Sequence, residues 1–367
     1  MENCRAGIAV CLLPAIAGSL FLLSACRHEE VSSAAGQVKH AREFSMQYHA
    51  DGSKMLVDGD GRRLVLSPEK SLKADDAHFR IPSRRTAPFS TPAASLISAL
   101  GETDSIIAVT IEKKYWFIDE IVNRMDSGAI KYLGADGGNL DYEFLYDLKP
   151  DLVLANNTAN PKKLRKLQEI GVPVAVFHDY LETTPQGQAE WIRFVAAFYN
   201  REEKANQIFE RIERRIQAVS ERMKQVKQRP RVLWAGLSWG RVYYAGRDSL
   251  EHAYVSMGGG DYVFRDNVGS GHQPSSMEVF YLQGKEADIF FSRSMAQYGV
   301  DSVRKLAVHY PLVAGFKSVK TGNVWCYKPW FWQSLDKVDE IAEDVAAIIH
   351  PEMFPGHRIR HFERLAD

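Results

Sequence analysis

The polar and apolar positions of this chain change period several times, and the changes outline its elements. Between about residue 85 and residue 178, short β-rich runs at 106–110, 152–155 and 172–177 are separated by helix-period segments at 93–100, 140–148 and 162–170. Such alternation predicts a parallel sheet with helices on both faces. Two helix-to-strand joints carry the expected breakers, Lys149-Pro150-Asp151 and Gly171-Val172-Pro173. From 186 to 226 no glycine or proline follows Gly187, and Ile208, Ile212, Ile216, Val219, Met223 and Val226 recur at steps of three and four. One apolar face over that stretch predicts a domain-spanning helix, about 40 Å long from residue 201 to 226. Beyond Arg229-Pro230 the alternation resumes, with strands at 232–235, 289–292 and 324–327, a helix at 276–282, a tight turn at Gly258-Gly259-Gly260 and a closing helix at 335–349. The pattern predicts two α/β lobes, 85–180 and 229–367, joined by one long interlobe helix at 186–228.

The N-terminal part reads differently. Arg5, an almost uncharged run at 6–23 and the box Leu23-Ser24-Ala25-Cys26 read as a secretory signal. Pro14 and Gly18 interrupt an apolar run already at the short limit for a bilayer span. The Leu-Ser-Ala-Cys box resembles the bacterial lipobox, so residues 1–25 are expected to be removed and Cys26 to carry a lipid. Residues 26–42 are small and polar and predict a tether. Residues 43–84 alternate around Ala50-Asp51-Gly52 and Asp58-Gly59-Asp60-Gly61, the turn signals of an N-terminal hairpin or extension, with no element predicted over 67–85.

Charge and cysteine content narrow the reading. Lys plus Arg and Asp plus Glu are 46 each, so no net field draws the chain to nucleic acid. Cys4 and Cys11 leave with the signal and Cys26 is acylated, so Cys326 remains alone and no intramolecular disulfide is expected. The nucleotide and zincin signatures GxGxxG after a strand, GxxxxGK[ST] and HExxH do not occur.

Open α/β sheets bind ligands in the loops at the carboxyl ends of their strands. There the first lobe offers Tyr115, Trp116 and Asn156, and the second Trp239, Tyr244, Arg247, His272, Arg293, Trp330 and Trp332. Aromatic walls with one or two arginines suit a planar macrocycle or a catecholate chelate. The run Trp330-Phe331-Trp332 is too apolar for an ordinary exposed loop and is the strongest candidate wall.

Five segments keep a common order along the chain: RTAPFSTPAASLISALGETDSIIAVT, NLDYEFLYDLKPDLVLA, LRKLQEIGVPVAVF, GGGDYVF and SMEVFYLQGKEADIFF. Together they resemble the metal-chelate-binding proteins of ABC importers, the class III periplasmic binding proteins for ferric siderophores, haem and cobalamin. The resemblance spans 85–350. It implies two Rossmann-like lobes, each a mainly parallel sheet with flanking helices, about a rigid interlobe helix. It also implies a monomeric substrate-binding lipoprotein on the periplasmic side of a bacterial membrane, or at the cell surface, that hands its chelate to an ABC permease. No enzymatic activity, cofactor or resident metal is implied.

The family docks through one glutamate per lobe. These correspond to Glu143, six residues before Lys149, and to Glu278, whose distance to Asp288 is two residues longer than that from Glu143 to Asp151. His178 or His272 would be the axial ligand if the chelate is haem. The alternatives are a tetrapyrrole chelatase-like enzyme on a similar fold and a surface protein that serves an outer-membrane receptor.

Overall fold

Strand Thr86–Pro88 lies parallel to Leu152–Ala155, which lies parallel to Val174–Val176. On its other side a bridge from Thr86 to Ile106 joins it to Ala108–Val109, which pairs in parallel with Lys131–Tyr132. With strands counted along the chain, the spatial order is third, second, first, fourth, fifth. The order reverses between the first and fourth strands, and the crevice beyond their carboxyl ends is where such a sheet takes ligands. Strand Leu152–Ala155 is buried throughout, as a parallel strand covered by helices on both faces must be. Helix Thr91–Ala99 starts at that crevice, with the Ser90 side chain accepting from the Ala93 N–H and a proline in its first turn. The computed structural model describes residues 38–69, 77–135, 138–156, 161–238, 241–295 and 301–366. Cys26, the signal and most of the tether lie outside them.

The second lobe repeats the principle with a different order. Asp261–Tyr262, Arg231–Ser238, Ile289–Met295 and Val324–Tyr327 run parallel as neighbours in that sequence. Their order reverses between Arg231–Ser238 and Ile289–Met295. Two antiparallel strands, Arg241–Ala245 and His272–Ser275, extend one edge, and Phe362–Arg364 closes the other. The closing helix, Val338–Ile349, buries Val338, Ile341, Val345 and Ile348. The protein is thus α/β with two Rossmann-like lobes, as its sequence pattern predicts.

The connection between the lobes departs from the prediction of one continuous helix. Helix Pro185–Ala197 ends, and Glu202–Met223 begins after Asn200, which takes a left-handed φ of 56°. Asparagine is among the few residues that tolerate this region. The break is held from afar: Lys54 Nζ donates to the Ala197 carbonyl at 2.7 Å and to Asn200 Oδ1 at 2.6 Å, and pairs with Glu202. The 22 residues of the second helix still span about 33 Å. Arg215 on this helix pairs with Asp339 at 2.9 Å and Glu343 at 3.0 Å on the closing helix, fastening it to the second lobe.

The N-terminal extension is more than a hairpin. Ser45–Tyr48, Lys54–Val57 and Arg63–Ser67 are antiparallel neighbours, and Ala77–Arg80 joins them in parallel within the stretch where no element was expected. Its Phe44, Leu56, Leu66 and Phe79 share one core with Trp191, Phe194 and Phe198 of the first interlobe helix. The strap just before this sheet is clamped by two buried carboxylates. The backbone N–H groups of Lys39, His40 and Ala41 donate to Glu190, and those of Arg42 and Glu43 donate to Glu182. Among the described residues no helix is long and apolar enough to cross a membrane.

Candidate ligand-binding cleft

The two lobes meet where the strand Val324–Tyr327 ends. There the chain turns into the short 3-10 helix Phe331–Gln333, and the Tyr327 ring stacks on Phe331 with centroids 3.8 Å apart. That stack sets Trp332 edge-on to both rings, at 5.4 and 5.2 Å. Gln333 reaches into the first lobe, accepting from the Phe117 N–H at 2.9 Å and donating to the Tyr115 carbonyl at 2.8 Å. Thr91 Oγ1 donates to the Trp332 carbonyl at 3.2 Å, and the Phe117 and Trp330 rings lie 6.1 Å apart.

Behind this contact lies a cavity of about 70 Å³. Pro92, Asp179 and Gln188 line it from the first lobe and its helix, and Glu251, Tyr327 and Trp332 line it from the second. Drug-sized ligands fill pockets of roughly 300–1,000 Å³, so this space is too small for a macrocycle. A larger solute enters only if the lobes part.

The cavity wall is charged as well as aromatic. Arg293, within the strand Ile289–Met295, reaches Glu251 at 3.1 Å and places its guanidinium 5.6 Å from the Trp332 ring centre. Trp234 donates to the Tyr327 hydroxyl at 2.8 Å. Burial raises the pKa of Tyr327 well above the ordinary value, so its hydroxyl stays protonated. Asp179 follows the strand Val174–Val176 and is 5% exposed. Burial pushes its carboxyl up to about 7, against a hydrogen bond from Gln188.

Several of the predicted site residues converge here. Trp332 lines the cavity and Arg293 approaches its ring, Trp330 lies against the first lobe, and Tyr115 meets Gln333 through its carbonyl. Trp116, expected to face the cleft, is instead 5% exposed and donates to the Ile111 carbonyl at 3.0 Å inside the first-lobe core. The neighbouring Phe117, exposed, takes its place at the lobe junction. Asn156 is half-buried at the end of Leu152–Ala155. Tyr244 stacks on Phe264 at 4.0 Å, and Arg247 is an exposed residue 3.9 Å from Asp248.

The backbone of His272 pairs with Ala245 in the edge strand, and Trp239 lies outside the described residues. His178 is buried beneath the turn at Gly59, where any side chain on that glycine would meet the imidazole ring, and it does not line the cavity. Burial lowers the pKa of His178 and so favours the neutral ring. Glu143 and Glu278 are exposed in the first turns of helices Tyr142–Asp147 and Met277–Gly284. Hydrogen bonds from its own backbone N–H and from Ser276 lower the pKa of Glu278. Asp179, Gln188, Phe117 and Gln333 were not among the sequence candidates. Asp179 carried a signal, since it follows a predicted strand by two residues. Among the described residues no three His, Cys, Asp or Glu side chains are grouped to hold a metal ion.

Two lobes, each with its strand-order reversal, enclosing an aromatic and charged cleft define a bilobed solute-binding protein. The chain belongs to the periplasmic binding protein family, whose model matches residues 90–329. Helicobacter pylori CeuE, solved in a nickel–histidine complex, superposes with a TM-score of 0.64 at 20% identity, over 84% of this chain and 91% of that one. The periplasmic heme-binding protein HutB of Vibrio cholerae gives 0.57 at 19% identity, over 71% of this chain and 97% of that one. An uncharacterized lipoprotein of Methanocaldococcus jannaschii is 26% identical over 326 residues, 84% of this chain and 77% of that protein. The family and these structural neighbours are solute-binding proteins rather than enzymes, so the chelatase-like alternative falls.

Proposed function

We propose that this protein captures a metal chelate, a ferric siderophore, haem or a corrinoid, between its lobes and delivers it to an ABC import permease. The observation that carries the reading is the lobe junction itself. Trp330, Trp332 and Phe117 supply apolar ring surface, and Arg293 supplies a cation for carboxylate or chelate oxygens. Neighbours in fold whose names state heme and vitamin B12 binding support this ligand class. The lipobox at Cys26, together with the lipoprotein relative, supports a lipid anchor on the periplasmic side of a membrane.

Docking is assigned to Glu143 and Glu278. Each is an exposed carboxylate at a helix start, one per lobe, suited to registering a rigid body on basic patches of a permease. The test is a titration of the mature chain with haem, cyanocobalamin and a panel of ferric siderophores, read by tryptophan fluorescence. Saturable quenching by one of them is the expected result, and no quenching by any of them overturns the reading.

A further inference from the structure

The interlobe cavity carries a charge that a flat aromatic ligand does not use. Glu251, 8% exposed, is balanced by Arg293 at 3.1 Å. Asp179 lines the same cavity from the opposite lobe, and among the described residues no lysine or arginine pairs with it. Its side-chain partner, Gln188 Nε2, stands at 3.4 Å, long for a hydrogen bond, and the remaining donors to Asp179 are neutral backbone N–H groups, its own and that of Tyr180. The other groups around it do not supply a cation. Glu182 adds a like charge, and burial favours the neutral ring of the adjacent His178. Tyr254 and Tyr327 remain protonated hydroxyls. With both acids ionised, Glu251 is matched by Arg293 behind the cavity wall while Asp179 faces no cation, and a buried carboxylate without a counter-charge is a costly arrangement unless a proton or a ligand completes it.

We propose that this cavity is a subsite for a small cationic head, a protonated amine or guanidinium, and that Asp179 is the residue that selects it. The proposal rests on the reading that solute is held between the lobes, and it narrows the solute to one bearing such a head. The volume of about 70 Å³ fits a group the size of methylammonium beside the Trp332 ring. With the Asp179 carboxyl near 7, a bound cation must expel a proton at lower pH, so its affinity rises with pH up to that point and levels off above it.

Calorimetric titration of the mature chain with methylammonium, and with methanol as its neutral counterpart, tests this at pH 5.5 and 8.5. The expected result is methylammonium binding at least about tenfold tighter at pH 8.5, tenfold being one pH unit of a linked proton, and no binding of methanol. Asp179→Asn should weaken methylammonium at least tenfold at pH 8.5 and abolish the pH dependence, with an unchanged circular dichroism spectrum. Gln188→Ala, which keeps the carboxylate, should keep the pH dependence.

Equal methylammonium affinity in wild type and Asp179→Asn, binding of methanol as tight as methylammonium, or no methylammonium binding at pH 8.5 overturns the proposal. Its failure is separable from that of the chelate reading. If methylammonium binds through Asp179 while no chelate binds, the chelate reading falls and the subsite stands. If a chelate binds and methylammonium does not, the subsite falls alone.

Discussion

Replacing Asp179 with asparagine removes a carboxyl that the fold holds in the wrong environment for its charge. In the unfolded chain this group titrates near the ordinary 3.8, and in the folded protein near 7. At 1.36 kcal/mol per pKa unit, that gap is worth on the order of 4 kcal/mol. The sign follows from proton uptake. Between these two values the folded state binds the proton and the unfolded state does not. The contribution of Asp179 is therefore fully present below pH 4 and is lost as pH rises to 7.

In the apo protein, Asp179→Asn should match wild type near pH 4 and be more stable at pH 8 by on the order of 4 kcal/mol. Urea unfolding at pH 4.5, 6 and 8, followed by tryptophan fluorescence, measures the difference. The pKa of His178 is lowered by burial, so it loses stability as pH falls, but it does so in both proteins and cancels. A variant with the same pH slope as wild type, or one less stable at pH 8, would refute the assignment of Asp179 as a carboxyl whose charge is disfavoured by burial.

Three further outcomes follow from other parts of the molecule. Trp332→Ala should weaken chelate binding by about 1–3 kcal/mol, as removal of an aromatic anchor does; fluorescence titration reads it, and unchanged affinity would remove Trp332 from the site. Lys54→Met removes the cation beside Glu202, which keeps Tyr48, and frees the Ala197 carbonyl at the helix break. It should cost about 1–3 kcal/mol in urea unfolding, the range for buried polar groups left unsatisfied, and a loss under about 0.5 kcal/mol would show that the break does not depend on the N-terminal sheet. Charge reversal at both Glu143 and Glu278 should leave chelate affinity within about twofold, a surface change being worth little, and abolish stimulation of the permease ATPase in proteoliposomes; full stimulation would displace docking to other residues.

The lobes were legible because their strands are short apolar runs bounded by breakers. Leu152–Ala155 between Lys149-Pro150-Asp151 and Asn156 is the plainest case. The helix break at Asn200 was not, because its signal is neither glycine nor proline but an asparagine fixed by Lys54, 143 residues before the Ala197 carbonyl that it caps. The strand Arg241–Ala245 was missed although Val242-Tyr243-Tyr244-Ala245 is a β-rich run, because its tyrosines were read as loop residues beyond the strand 232–235, with which it pairs antiparallel through Ala235–Ser238.

In the cleft, Arg293 and Trp332 were each singled out by the rule of strand ends, and their contact was not. The choice between the adjacent rings of Trp116 and Phe117 did not, since in a loop no period decides which of two neighbours faces inward. Asp179 lies at a strand end like the chosen candidates, but an acid there looks like a solvated loop residue until the second lobe closes over it.

The claim that solute is held at the lobe junction is tested most directly by hydrogen exchange of the mature chain with and without a saturating chelate. Protection concentrated at 115–117, 179–188 and 330–334 is the predicted result. Saturable binding with these three segments unchanged, and protection on another surface, would contradict it.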